Sequence, residues 1–155
     1  MKIFELTVVT PERITFQGKI SSLILPAWEG SMGILPGHTP ALVLIKEGVI
    51  RTQNEEGIEE TMSVSGGFVE IGQRKATLFA ETAELAQEID EERARLALAR
   101  AKEDVAKTRA PKKGPQEIDV EKAQAALRRA LTRLKAVENA RRIRGHRTPP
   151  PVNEN

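Results

Sequence analysis

The residues of this chain best suited to chemistry are two histidines and a set of cations at helical spacing. His38 stands in Pro36-Gly37-His38-Thr39-Pro40, and His146 lies near the C-terminus. A catalytic imidazole needs a nucleophile, a carboxylate or a thiol arranged around it, and no recognised spacing supplies one. The chain has no Cys, and two unrelated histidines do not complete a zinc shell. The cations are better organised. At about 100° per residue, Lys122, Arg129 and Arg133 fall on one stripe of a helix. Arg93 and Arg100, two turns apart, form a similar stripe. Guanidinium groups grip phosphate oxygens in pairs, so two such stripes flanking one seam can clamp a triphosphate. The same residues equally make a solvated charged face with intrahelical ion pairs, and the residues alone leave both readings open.

Two kinds of element must position these groups. In the first half, Phe4, Leu6 and Val8 alternate with polar residues, the period of a half-buried strand. Ile14 and Phe16 repeat the pattern. Further strands are predicted over 21–26, 41–45, 48–53, 62–64 and 75–80, punctuated by Pro11, Gly18, Gly30, Gly33, Pro36-Gly37, Gly57 and Gly66-Gly67. Many short strands at close spacing predict a sandwich or barrel.

The second half has a helical period. Asp90 is a predicted N-cap, with Glu91 and Glu92 at the positive end of the helix dipole and Lys107 and Arg109 near the negative end. A loop follows over 110–115. Asp119 is the N-cap of a second helix running to about Arg144, with Gly145 as its stop. Each helix has a narrow apolar seam: Ala94, Leu98, Ala101 and Val105 in the first, Val120, Ala123, Leu127, Ala130, Leu134 and Val137 in the second. Spacings of three and four describe a coiled-coil seam, not the broader face of a helix buried in a globular core. A short connection makes the pair antiparallel. Because Ala buries little area, the hairpin is expected to be held weakly enough to detach or straighten.

Composition excludes several classes. Hydrophobic residues at 39% and charged residues at 30% suit a folded soluble protein. Aromatics at 3% leave almost nothing for a base-stacking platform. No apolar run is long enough to span a bilayer, and the N-terminus lacks signal-peptide character. Residues 1–87 carry 7 basic and 11 acidic side chains, and residues 88–155 carry 17 and 11, so the basic half should seek an anionic partner.

Three segments identify a family. Glu29-Gly30-Ser31-Met32-Gly33-Ile34-Leu35-Pro36-Gly37-His38-Thr39-Pro40 resembles the characteristic loop of ATP synthase epsilon subunits of bacterial type. Ser65-Gly66-Gly67-Phe68-Val69-Glu70 and Ile89-Asp90-Glu91-Glu92-Arg93-Ala94 resemble two further signatures, in the same order. The resemblance, which covers roughly residues 1–140, implies a sandwich of about ten strands over 1–87 that docks on a rotor and a two-helix regulatory hairpin over 88–145; residues 146–155, with their Pro-rich run, are expected to form a disordered tail. It implies a non-catalytic rotor subunit of the central stalk, peripheral at the cytoplasmic face of the membrane, with no membrane span and no required cofactor. Its partners would be the gamma subunit, the ring of c subunits and, when the hairpin extends to block ATP hydrolysis, the catalytic beta subunits. Glu29, Gly30 and Ser31 would face the c-ring and His38 would lie near gamma. In ATP-sensing members the signature matching Ile89, Asp90, Arg93 and Ala94 holds ATP together with basic residues matching Lys122, Arg129 and Arg133. The segment 108–118 and the tail 141–155 depart from the family pattern. A nucleic-acid adaptor, an enzyme seated in the sandwich, and a sandwich with a swapped oligomerisation arm are the competing classes.

Overall fold

Alternation of apolar side chains places Phe4, Leu6 and Val8 of the first strand in one core with Val69 and Ile71, Ala76 and Leu78, and Ile50 and Met62. The structure, a computed structural model, describes residues 2–110 and 119–146. Its strands are β1 (Phe4–Val9), β2 (Ile14–Ile20), β3 (Ser22–Ala27), β4 (Gly30–Ile34), β5 (Ala41–Ile45), β6 (Gly48–Gln53), β7 (Glu59–Val64), β8 (Gly67–Ile71), β9 (Lys75–Ala80) and β10 (Ala83–Leu85). A short 3-10 turn at Ala86–Glu88 leads to helices α1 (Glu91–Arg109) and α2 (Val120–His146).

The strands pair in the order β10-β7-β6-β3-β5-β8-β9-β1-β2, with β4 added to β3. Every pair is antiparallel except β1 with β9. One residue pair, Ala27 with Ile45, joins β3 to β5, and at that corner the sheet folds over its own core. The ends nearly meet, where Thr15 Oγ1 donates to the Ala83 carbonyl at 3.4 Å. The result is the expected ten-stranded sandwich, almost closed into a barrel.

Three strands escaped the periodicity reading. β4 carries two glycines and reads as a turn; β8 starts at a Gly-Gly punctuation; β10 has only three residues. The segment 29–40 is therefore not one shaped loop. Its first part is the second strand of a hairpin, turning through Trp28-Glu29 with Ala27 opposite Gly30. Gly30 has φ 139°, a conformation open to glycine and strained for other residues. At Gly67 a Cβ would lie 1.9 Å from the Phe79 carbonyl oxygen, so only glycine lets β8 approach β9 there.

The helices begin where their caps predict. The Asp90 carboxylate accepts from the Arg93 amide at 3.1 Å, and that of Asp119 from the amides of Glu121 and Lys122 at 3.0 and 3.2 Å. Each bond satisfies a helix-end donor that would otherwise lack a partner. α2 continues through Gly145 to His146, a difference within ordinary helix fraying. The inter-helix residues 111–118 and the tail 147–155, expected to alter the hairpin's reach, lie outside the described residues.

The seam is observed, with two corrections. Ala94, Ala101, Ala123 and Ala130 are buried between the helices, but Val120 remains exposed, so the seam of α2 starts at Ala123. α2 also has a second buried face. Ala136, outside the seam, is fully buried in a small cluster with Ala86, Ile89 and Ala94, flanked by Val49 and Ala140. The hairpin is thus docked on the sandwich through α2, which lies over β6 and β7. A seam of spacing three and four describes helix against helix and says nothing of a third layer.

Candidate functional site

Between the docked hairpin and the sandwich lies a cavity of about 490 Å³. The turn after β1, the ends of β7 and β10, Ala97 of α1 and one face of α2 enclose it. Small side chains leave the space: Ala97, Ala126 and Ala130 cannot fill the gap between helix and strand. The α2 face that lines it includes Arg129 and Arg133. These lie about 110° round the helix from the seam, and that turns them toward the sandwich.

The cavity is electrostatically mixed. Arg13, Arg129 and Arg133 are met by Glu12, Glu47, Glu81 and Glu84. Arg133 Nη2 donates to Glu84 Oε1 at 3.0 Å. Its Nε lies 2.7 Å from Glu84 Oε2 but off the hydrogen-bond direction. Arg129 has no ion-pair partner within 4 Å among the described residues. Arg128, one step round the helix, donates from Nε to Glu47 Oε2 at 3.3 Å. Burial pushes the Glu47 carboxyl above its ordinary range, against the pull of Arg128 and Arg129. At the far end of the hairpin, Glu91 accepts from Arg95 and from Arg141 of α2, and these bonds hold its carboxyl below the ordinary range.

Of the residues expected to hold a nucleotide, only Arg129 and Arg133 share the cavity. Ile89 and Ala94 are packed in the cluster around Ala136. Asp90 caps α1 and pairs with Arg93, whose side chain is 83% exposed. Lys122 is 86% exposed and lies beside Asp119. Among the described residues no group of His, Asp and Glu could hold a metal ion.

The expected docking residues flank β4: Glu29, Gly30 and Ser31 lie at the turn that opens it, and His38 lies in the connection beyond its other end. Glu29 and Ser31 are exposed, Gly30 and His38 half-buried. His38 is engaged locally, its Nδ1 2.7 Å from the Thr39 carbonyl oxygen.

A second surface was missed. Leu42 and Leu44 of β5 are 70% and 65% exposed, and Phe68 of β8 and Phe79 of β9 are partly exposed. Register places Leu44 opposite Phe68, and Phe68 opposite Phe79. The two rings stack with centroids 5.0 Å apart. Trp28 is 72% exposed, and its amide donates to the Leu44 carbonyl at 3.3 Å. The signal was present: Ala-Leu-Val-Leu-Ile is apolar at every position, the pattern of a strand covered on both faces.

Known proteins align with both halves. Residues 3–86 match the beta-sandwich domain of the ATP synthase Delta/Epsilon chain family, and residues 87–138 match its long alpha-helix domain. The ATP synthase epsilon chain of Moorella thermoacetica is 41% identical over 137 residues, covering 88% of this chain and 98% of that one. The ATP synthase epsilon chain of Pelotomaculum thermopropionicum is 44% identical over 106 residues, covering 68% and 78%. The fold is shared with a chain of the Euglena gracilis mitochondrial ATP synthase OSCP/F1/c-ring structure, at TM-score 0.69 and 22% identity, covering 89% of this chain and 81% of that one. A chain of the Tetrahymena thermophila mitochondrial ATP synthase central stalk/c-ring structure has TM-score 0.50 and 14% identity, covering 90% and 96%. No described helix is long and apolar enough to cross a membrane. The sandwich and the docked hairpin agree with this match along the chain: it belongs to the family of ATP synthase epsilon chains, non-catalytic subunits of that complex.

Proposed function

We propose that the chain is a rotor subunit of the central stalk, bound to the gamma subunit and the c-ring at the cytoplasmic face of the membrane. Residues 1–87 dock, and residues 88–145 regulate. The observation that carries this reading is the exposed apolar row Leu42, Leu44, Phe68 and Phe79. A contiguous apolar surface rimmed by polar residues marks a protein interface, and its aromatic pair suits an interface core. That row takes gamma. Glu29, Gly30 and Ser31, at the turn between β3 and β4, take the polar loops of the c-ring, and His38 lies toward gamma. Binding of the purified gamma subunit to the full chain tests this. Leu42→Asp with Leu44→Asp should weaken binding at least tenfold; unchanged affinity would remove the row from the interface.

The hairpin is the brake. Lifted from the sandwich, the basic α2 would reach acidic surfaces of the catalytic beta subunits and stop ATP hydrolysis. ATP would hold it down: Arg129 is free to take a phosphate, and Arg133 would exchange Glu84 for one. Ile89, Asp90, Arg93, Ala94 and Lys122 complete the proposed nucleotide site by family resemblance. A ligand that binds only the docked form stabilises it by mass action. Calorimetric titration should show ATP binding that Arg129→Ala and Arg133→Ala abolish. No heat from the unaltered chain at millimolar ATP would reject the nucleotide site and leave the docking assignment intact.

A further inference from the structure

The junction between α2 and the sandwich contains a carboxylate set against its surroundings. Glu47 lies in the connection from β5 to β6, and its side chain is only 17% exposed. Oε2 accepts the 3.3 Å bond from Arg128. Oε1 is buried with no hydrogen-bond partner among the described residues. Arg128 is itself 59% exposed, so water screens much of its charge. From α2, Arg129 also acts on Glu47, while Arg133 is engaged by Glu84. Glu81 and the pair Glu12 and Arg13 line the same cavity, and α1 presents only Ala97 there. A buried carboxylate oxygen without a donor carries a desolvation penalty that one long bond to a screened cation does not offset. Undocking α2 would open that oxygen to water.

We propose that Glu47 makes the docking of the hairpin proton-sensitive: the ionised carboxylate loosens the hold of α2 on the sandwich, and protonation tightens it. The raised affinity of Glu47 for its proton in the docked state agrees with this geometry. A carboxyl that binds its proton more tightly when docked favours docking below the ordinary carboxylate range. That contribution disappears as pH rises through the raised value. Glu91 has the opposite sign and a lower range, since its bonds to Arg95 and Arg141 are lost only in stronger acid. The inference rests on the docked arrangement alone, not on the nucleotide site or the brake.

Amide hydrogen exchange of the full chain, corrected for the intrinsic effect of pH, tests it. Protection of α2 around Arg133 and Ala136 should fall as pH rises from below the ordinary carboxylate range to about pH 8, while β9 stays protected. Glu47→Gln, which keeps the shape, should raise α2 protection at the upper end and flatten the slope. Arg128→Ala leaves the carboxylate uncompensated and should lower α2 protection at the upper end with little change at the lower. A Glu47→Gln chain with the wild-type slope would overturn the proposal, as would an Arg128→Ala chain with wild-type protection throughout. Protection of β9 reports that each variant has folded.

Discussion

Over β6 and β7, α2 covers a seat of Val49, Thr61 and Ser63, whereas over β5, β8 and β9 the larger side chains Leu42, Leu44, Phe68 and Phe79 remain exposed. This is the reverse of what hydrophobic burial alone would choose. Covering a leucine is worth roughly 1.5–3 kcal/mol, yet the helix rests where mostly small or polar groups meet it. Thr61 Oγ1 is even left buried without a hydrogen-bond partner among the described residues. A seat of this kind is bared to water at less cost than the apolar row would be, in line with the proposed lifting of the hairpin. The apolar row would be a liability if left bare, as suits a surface that stays covered by a partner. Ion pairs follow the same division: Glu47 with Arg128 and Glu84 with Arg133 join hairpin to sandwich. Partly exposed pairs of this kind orient a contact more than they stabilise it.

The comparison can be broken most directly at Ala136. Ala136→Leu forces a larger side chain into the cluster with Ile89 and Ala94 and should cost about 1–3 kcal/mol of docking. Urea titration followed at α2 should shift while the sandwich transition does not. Equal loss in both would mean that seat and sandwich form one cooperative unit. Next in size is Asp90→Ala, which removes the bond to the Arg93 amide and should cost about 1 kcal/mol. Faster exchange at Arg93 and Ala94 would show the first turn of α1 fraying beside Ala136; unchanged exchange would show that packing holds it. A smaller effect is expected from acid. The bonds from Arg95 and Arg141 hold the Glu91 carboxyl low, so the link stabilises the hairpin above the ordinary carboxylate range and is lost as pH falls through the lowered value. The helix melting temperature by circular dichroism should fall in that window, and Glu91→Gln should remove the Glu91 part of the fall. The smallest effect belongs to the bare face. Leu44→Thr should change the stability of the isolated chain by less than about 0.5 kcal/mol. A larger loss in urea titration would mean that the row serves the fold and not a partner.

Much of the fold was legible because its signals are local. Asp90 and Asp119 are short acceptors standing before helical periods, and each caps the helix it announces. Strands with clean alternation, such as β1 and β9, were found; β4 was not, because Gly30 and Gly33 have no side chains to alternate. The site was less legible. The stripe of Arg129 and Arg133 follows from helical geometry, but that it faces the sandwich, with Glu84 holding Arg133, depends on how α2 is rotated in its seat. Ala136 shows why: nothing in an alanine between Lys135 and Val137 marks it for complete burial.

Periods, caps and the three family segments depend on neighbours in the chain, so the sequence by itself determined the two-part architecture, the helix starts and the family. Which face of the sandwich is covered, which cations are already countered, and that Glu47 lies half-compensated beneath a helix more than eighty residues further on were decided only in the tertiary structure. Those properties come from contacts between segments remote in sequence, whose energies depend on distance and on the exclusion of water.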